Sequence, residues 1–142
     1  MPYNFRDDIA GGDCAVEIEA DSLEELFIEA GKAFTEAMVD ITTVGSDNMF
    51  DVSLKEDDIE RLFYDWLSEL VYLKDSASML FSEYEIKQLE TGKDFRLEAT
   101  VGGERIDYDK HDISADIKAV TLHRFKVEET DSGWRAFVIF DL

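Results

Sequence analysis

The chain has 142 residues and carries 34 acidic against 14 basic side chains, a formal net charge of −20. Its 45 % hydrophobic and 12 % aromatic content is enough to bury a core, which excludes an acidic disordered tail. The same charge disfavours direct binding of a nucleic-acid backbone or an anionic membrane, where Lys and Arg supply the affinity.

A chain of this size makes one domain, and residues 1–142 contain no linker, repeat or proline beyond Pro2 to divide it. The single Cys14 makes no internal disulfide, and the first residues show neither a basic nor an apolar leader segment. No apolar run reaches the ~20 residues of a membrane helix. These features together predict a cytoplasmic protein.

Residues 13–20 alternate Cys14, Val16, Ile18 and Ala20 with Glu17 and Glu19, the period of a strand wet on one face. The period then changes: Leu23, Leu26, Phe27, Ala30, Ala33, Phe34, Ala37 and Met38 follow helical spacing over about 17 residues. Ser22 and Glu25 form a capping box at its start. A strand is expected over 50–54 and a second helix over 57–73, whose apolar stripe holds Phe63 and Trp66 on the core side. Further strands are expected over 79–89, over 95–101 with a turn at Gly102-Gly103, over 117–127, and over 134–140 after a turn at 131–133. The order β-α-β-α-β-β-β-β predicts an α+β domain, two amphipathic helices packed on a mostly antiparallel sheet.

No phosphate-binding loop, dinucleotide fingerprint or nucleophile elbow is present, and one Cys with two His nearly excludes zinc. Carboxylates in unusual positions remain. Asp141 follows the apolar run 136–140, next to the terminal carboxylate of Leu142, so two anions meet at the edge of a core. They are either a solvated acid at a frayed end or a site for a hard cation such as Ca²⁺, Mg²⁺ or Mn²⁺. Asp40 lies just past the first helix, where the dipole disfavours negative charge, so it is either a turn residue or an acid with a partner. Asp13, after Gly11-Gly12, is either a turn residue or a third candidate ligand.

The strand over 117–127 puts Lys118, Arg124 and Lys126 on one face, either to pair with these acids or to protect a sheet edge. His123 falls on its apolar face and is expected to be a hydrogen-bonded core histidine.

Five ordered blocks spanning nearly the whole chain resemble the archease family. These are Ser22 to Phe27 with Ala30 to Met38 and Asp40; Leu62 to Leu73, similar to LL-x-x-WL-x-E-L-x-x-L; Gly103 to Asp107 with Lys110-His111, similar to GE-x-x-D…KH; Asp116 to His123, similar to (E/D)-(V/I)-KA-(V/L)-T-x-H; and Val138 to Leu142, similar to V-x-(F/L)-D-(I/L). The resemblance implies a non-enzymatic accessory protein. It would assist an RtcB-type RNA ligase, promoting guanylylation and multiple turnover through an acidic metal-binding tip. By the same resemblance Asp13, Asp40, Asp141 and Leu142 are the metal-site residues, with Asp8 and Lys118 facing the partner.

Many family members carry His-Thr-Ala-Asp before the first strand, where this chain reads Asp7 to Asp13 without a histidine. Asp8 and Asp13 are therefore both candidates for the family's N-terminal acid. Two other readings use the same acids: a small metal-dependent hydrolase, or a polyanionic mimic of nucleic acid.

Overall fold

The alternation at the start of the chain builds the centre of the first sheet. The computed structural model describes residues 2–6 and 13–142. In it β1 (Tyr3–Phe5) pairs with β2 (Cys14–Ala20), which pairs with β7 (Gly133–Asp141), which pairs with β6 (Ala119–Thr130). A second sheet has the order β3 (Asn48–Glu56), β5 (Phe95–Arg105), β4 (Met79–Thr91), and every pair in both sheets is antiparallel. The α+β class expected from the pattern is therefore found, but with two sheets in place of one. The hairpins β4–β5 and β6–β7 pair neighbours in sequence, while β3 pairs with β5 across α2 and β4, and β7 returns to β2, long-range choices that periodicity does not encode.

Helices α1 (Leu23–Glu36) and α2 (Ile59–Ala77) each touch both sheets. On α1, Phe34 meets Phe140 of β7 edge-on, while Thr35 donates to the Phe81 carbonyl of β4 at 2.7 Å and lies 2.5 Å from the Tyr84 hydroxyl. On α2, Phe63 leans on Phe125 of β6 and Trp66 on Tyr84. Trp66 is fully buried, and its indole N–H donates to the Phe27 carbonyl at 2.9 Å, so the ring joins the helices without leaving a polar atom unpaired. Burying such side chains is worth about 1.5–3 kcal/mol each, the dominant stabilising term.

The helix starts agree with the sequence reading. Ser22 accepts the Glu25 N–H at 3.2 Å, and Asp58 accepts the Arg61 N–H at 2.8 Å. Helix α1 ends at Glu36 rather than Met38, because the Met38 and Val39 amides both turn back to the Thr35 carbonyl and close the last turn. Among the described residues no helix is long and apolar enough to cross a membrane.

Two expectations are corrected here. Gly102 and Gly103 make no turn: β5 runs through them to Arg105, and they face Met49 and Asn48 on one side and a bulge between Phe81 and Glu83 on the other. The 117–127 alternation also breaks. Register slips between Thr121 and Lys126, Arg124 takes a left-handed φ of 57°, and Thr121 Oγ1 is left buried without a hydrogen-bond partner among the described residues. His123 consequently sits exposed on this bulge, not hydrogen-bonded in the core. Strand β6 is a sheet edge, as the lysine-rich face suggested, and Glu60 of α2 accepts the Val127 N–H at 2.9 Å, closing part of that edge.

Candidate functional site at one end of the four-stranded sheet

The antiparallel pairing of β2 with β7 places the sequence-selected acids. Cys14 lies opposite Phe140, so Asp13 just before it and Asp141 just after Phe140 flank the same rung at one end of the sheet. Both are exposed. On the far side of β7, Ala119 pairs with Asp141, and the Lys118 N–H donates to the Asp141 carbonyl at 2.8 Å. The strand end is thus gripped from both sides, with the exposed Lys118 beside it. Leu142 is half-buried and shares a cleft of about 280 Å³ with Asp13, Cys14 and, from the end of α1, Glu36 and Ala37. Asp13, Asp141, Leu142 and Lys118 are therefore brought to one tip.

Asp40 is engaged differently. It caps a 3₁₀ turn (Ile41–Thr43), accepting the Thr42 hydroxyl at 2.7 Å and the Thr42 N–H at 3.0 Å. Those bonds hold its carboxyl below the usual range. An acid past a helix end thus finds a partner in its own turn. Asp8 lies outside the described residues. Among the described residues no group of three or more His, Cys, Asp or Glu is arranged to hold a metal ion. The carboxylate donors at the tip suit a hard cation in kind but are a partial set for one.

Two clusters that sequence reasoning left unassigned hold this end in shape. Lys74 of α2 is 3 % exposed, and its ammonium donates to Asp116 at 2.7 Å and to Asp75. Burial pulls its pKa down, but the two carboxylates outweigh that and leave it above its ordinary value. Asp116 so fixes the segment that continues through the fully buried Ile117 to Lys118. Ser114 adds a bond to the Met38 carbonyl at 2.8 Å.

The second cluster centres on Glu104, which accepts the Gly45 N–H at 2.7 Å, the Lys110 ammonium at 2.7 Å and the His111 ring at 2.9 Å. The Asp107 N–H donates to His111 Nδ1 at 3.0 Å, which leaves the ring proton on Nε2, facing Glu104. The sequence signal for both clusters was present in the GE-x-x-D…KH and D-x-KA blocks, but their spacing alone does not say which side chain meets which.

Away from the tip, Asp65 of α2 sits against Glu56 of β3. Arg61 Nε lies 3.7 Å from Glu56 and 4.0 Å from Asp65. Burial first, then Glu56, pushes the Asp65 carboxyl up to about 6. The folded state therefore binds this proton more tightly than the unfolded chain. The stability it contributes is full below about 4 and is lost as pH rises through about 6. Asp65→Asn is expected to raise stability at pH 7.5 by roughly 1 kcal/mol after allowance for solvent screening. The gain should shrink at pH 5, as read by urea unfolding at both pH values; an equal gain at both would contradict the pairing.

Comparison with known proteins places this architecture. The family model described as the Archease protein family (MTH1598/TM1083) matches residues 3–142. The chain is 33 % identical to protein archease of Methanopyrus kandleri over 142 residues, covering all of both chains. It is 35 % identical to that of Archaeoglobus fulgidus, again over the full length of both. The solution structure of protein 1598 from Methanobacterium thermoautotrophicum is similar at a TM-score of 0.80 and 30 % identity, covering 99 % of each chain. A crystal structure from Thermotoga maritima, described as an archease and possible chaperone, shares the fold at a TM-score of 0.64, with 23 % identity and 98 % of each chain covered.

Proposed function

This chain belongs to the archease family, and from that premise we propose that it is a non-enzymatic accessory protein that activates an RtcB-type RNA ligase. The observation that carries the reading is the placement of Asp13 and Asp141 beside the Cys14–Phe140 rung, at one end of the β2–β7 pair. Two exposed carboxylates at one sheet end present negative charge, which suits a partner surface of positive charge. The active site of an enzyme that binds phosphates and a divalent metal is electropositive, so the tip complements it in sign, and the remaining charge of the chain steers the encounter. Lys118 stands beside the pair as a contact to the partner. Asp13 and Asp141, with Leu142 beside them, would hold a hard cation such as Ca²⁺, Mg²⁺ or Mn²⁺. Such a cation would supply positive charge that neutralises the two acids.

Multiple-turnover RNA joining by a purified cognate ligase with GTP and Mn²⁺ tests this. The wild-type chain is expected to raise turnover and guanylylation. Asp141→Ala should remove at least about tenfold of the stimulation, equivalent to about 1.4 kcal/mol, with an unchanged unfolding midpoint. Full stimulation by that variant would show that the tip is not the working surface.

A further inference from the structure

The outer face of the four-stranded sheet carries a feature that the tip does not use. Cross-strand register puts Phe137 of β7 between Glu17 of β2 and Lys126 of β6, and Arg135 between Glu19 and Glu128. Around the half-buried Phe137 lies a cleft of about 370 Å³, whose walls include Arg6, Arg124, Lys126 and Arg135. Four of the chain's 14 basic residues thus gather in one hollow of a molecule with net charge −20.

Their partners are unequal. Arg6 bonds Glu17, and Arg135 bonds Glu128 at 2.7 Å, with Glu17 and Glu19 also near it. Arg124 and Lys126 make no ion pair among the described residues. The Arg124 guanidinium lies 5.5 Å from the centre of the Phe137 ring, and Lys126 is near Glu128 without bonding it. Arg124 is carried by the β6 bulge at φ 57°, a left-handed conformation that disfavours any side chain. A regular strand would send residue 124 elsewhere. The bulge re-aims it over Phe137, in the cleft that Lys126 also lines.

We propose that this cleft is a binding site for a phosphate group. Two cations without carboxylate partners, one a forked guanidinium braced on an aromatic ring, match the charge and the several acceptor oxygens of a phosphate. Glu17 and Glu128 stay occupied by Arg6 and Arg135 and orient those two cations along the rim. At physiological salt the screening length is about 8 Å, so distant acids on this chain oppose a compact anion weakly and a long polyanion strongly. The cleft therefore takes a single phosphate, either free or at the end of a nucleotide chain. This proposal stands apart from ligase activation and does not depend on it.

The test is titration of the intact chain with inorganic phosphate and, separately, with a short single-stranded RNA bearing a terminal phosphate, followed by calorimetry and amide chemical shifts. Binding is expected in the millimolar range or tighter, about −4 kcal/mol, with shifts centred on 124–126 and 135–137. Arg124→Gly should weaken it at least tenfold without lowering the unfolding midpoint, because glycine accepts this backbone without strain. Lys126→Glu should abolish it, and Arg96→Ala on the other sheet should leave it unchanged. Tighter binding of the terminal-phosphate RNA identifies a nucleotide end as the source, and equal binding identifies free phosphate. No binding up to about 10 mM, equal affinity for a poly-glutamate peptide, or wild-type affinity in Arg124→Gly would each overturn the proposal.

Discussion

Gly103→Ala is expected to destabilise the fold by about 3 kcal/mol or more, a fall of roughly 10 °C in Tm for a chain of this size. A Cβ at this position would lie 2.0 Å from the Leu80 carbonyl oxygen and 2.9 Å from the Phe81 ring. Backbone, unlike a side-chain tip, cannot swing away. The carbonyl comes so close because β4 carries a bulge between Phe81 and Glu83, and the strand bends towards β5 there. The neighbouring glycine is the control. At Gly102 a Cβ meets the Met49 sulfur at 2.7 Å, but Met49 is largely exposed and flexible. Gly102→Ala should therefore cost under about 1 kcal/mol in urea unfolding. Equal losses for the two variants would mean that the close approach of Leu80 is not what selects glycine.

Glu104→Ala should cost about 2–3 kcal/mol, because it leaves the buried His111 ring and the Gly45 N–H without their acceptor. His111 is 2 % exposed, and its Nε2–H loses its acceptor, as does the Gly45 N–H. The Lys110 contact is lost with them. The pH dependence supplies an independent reading. The Gly45 N–H first, then Lys110 and His111, hold the Glu104 carboxyl down to about 2. Between about 2 and the ordinary glutamate value the unfolded chain binds more protons, so this contribution is present above about 4.5 and lost as pH falls towards 2. It is of order 1–2 kcal/mol once screening at a partly exposed rim is allowed for. Glu104→Gln can keep its carbonyl oxygen on Gly45 and His111 while losing the titration. Its stability should fall less steeply between pH 4.5 and 2.5, and a profile parallel to wild type would contradict the assignment.

The GE-x-x-D…KH block is thereby explained without any chemistry on a substrate. Glu104, Asp107, Lys110 and His111 tie the end of β5 to the loop before β3, close to the segment that carries Asp116 to its bond with Lys74. The same segment delivers Lys118 to the backbone of Asp141. Residues that a sequence reader takes for a motif of function serve here to tie the end of β5 to the loop before β3.

The site was partly legible for a similar reason. Asp141 stands out because an acid at the end of an apolar strand is electrostatically awkward, and Asp13 because it follows Gly11-Gly12 at a strand entry; β2–β7 pairing puts both at one end of the sheet. Asp40 drew the same suspicion, but the cost of its position is met locally by Thr42. Helix starts were readable because Ser22 and Asp58 act on amides three residues away.

What the sequence by itself determined was much of what short-range periodicity and charge set: two amphipathic helices, most of the alternating strands, the α+β class, and the acids Asp13 and Asp141 at strand ends. The tertiary structure alone decided that the strands divide into two sheets, that Gly103 faces a carbonyl instead of making a turn, and that a bulge moves His123 into solvent and Arg124 over Phe137. Register and bulges depend on which strand lies alongside and how its side chains pack, contacts made between residues far apart in the chain. A local pattern of apolar and polar residues carries the face a strand presents, but not the neighbour it presents it to.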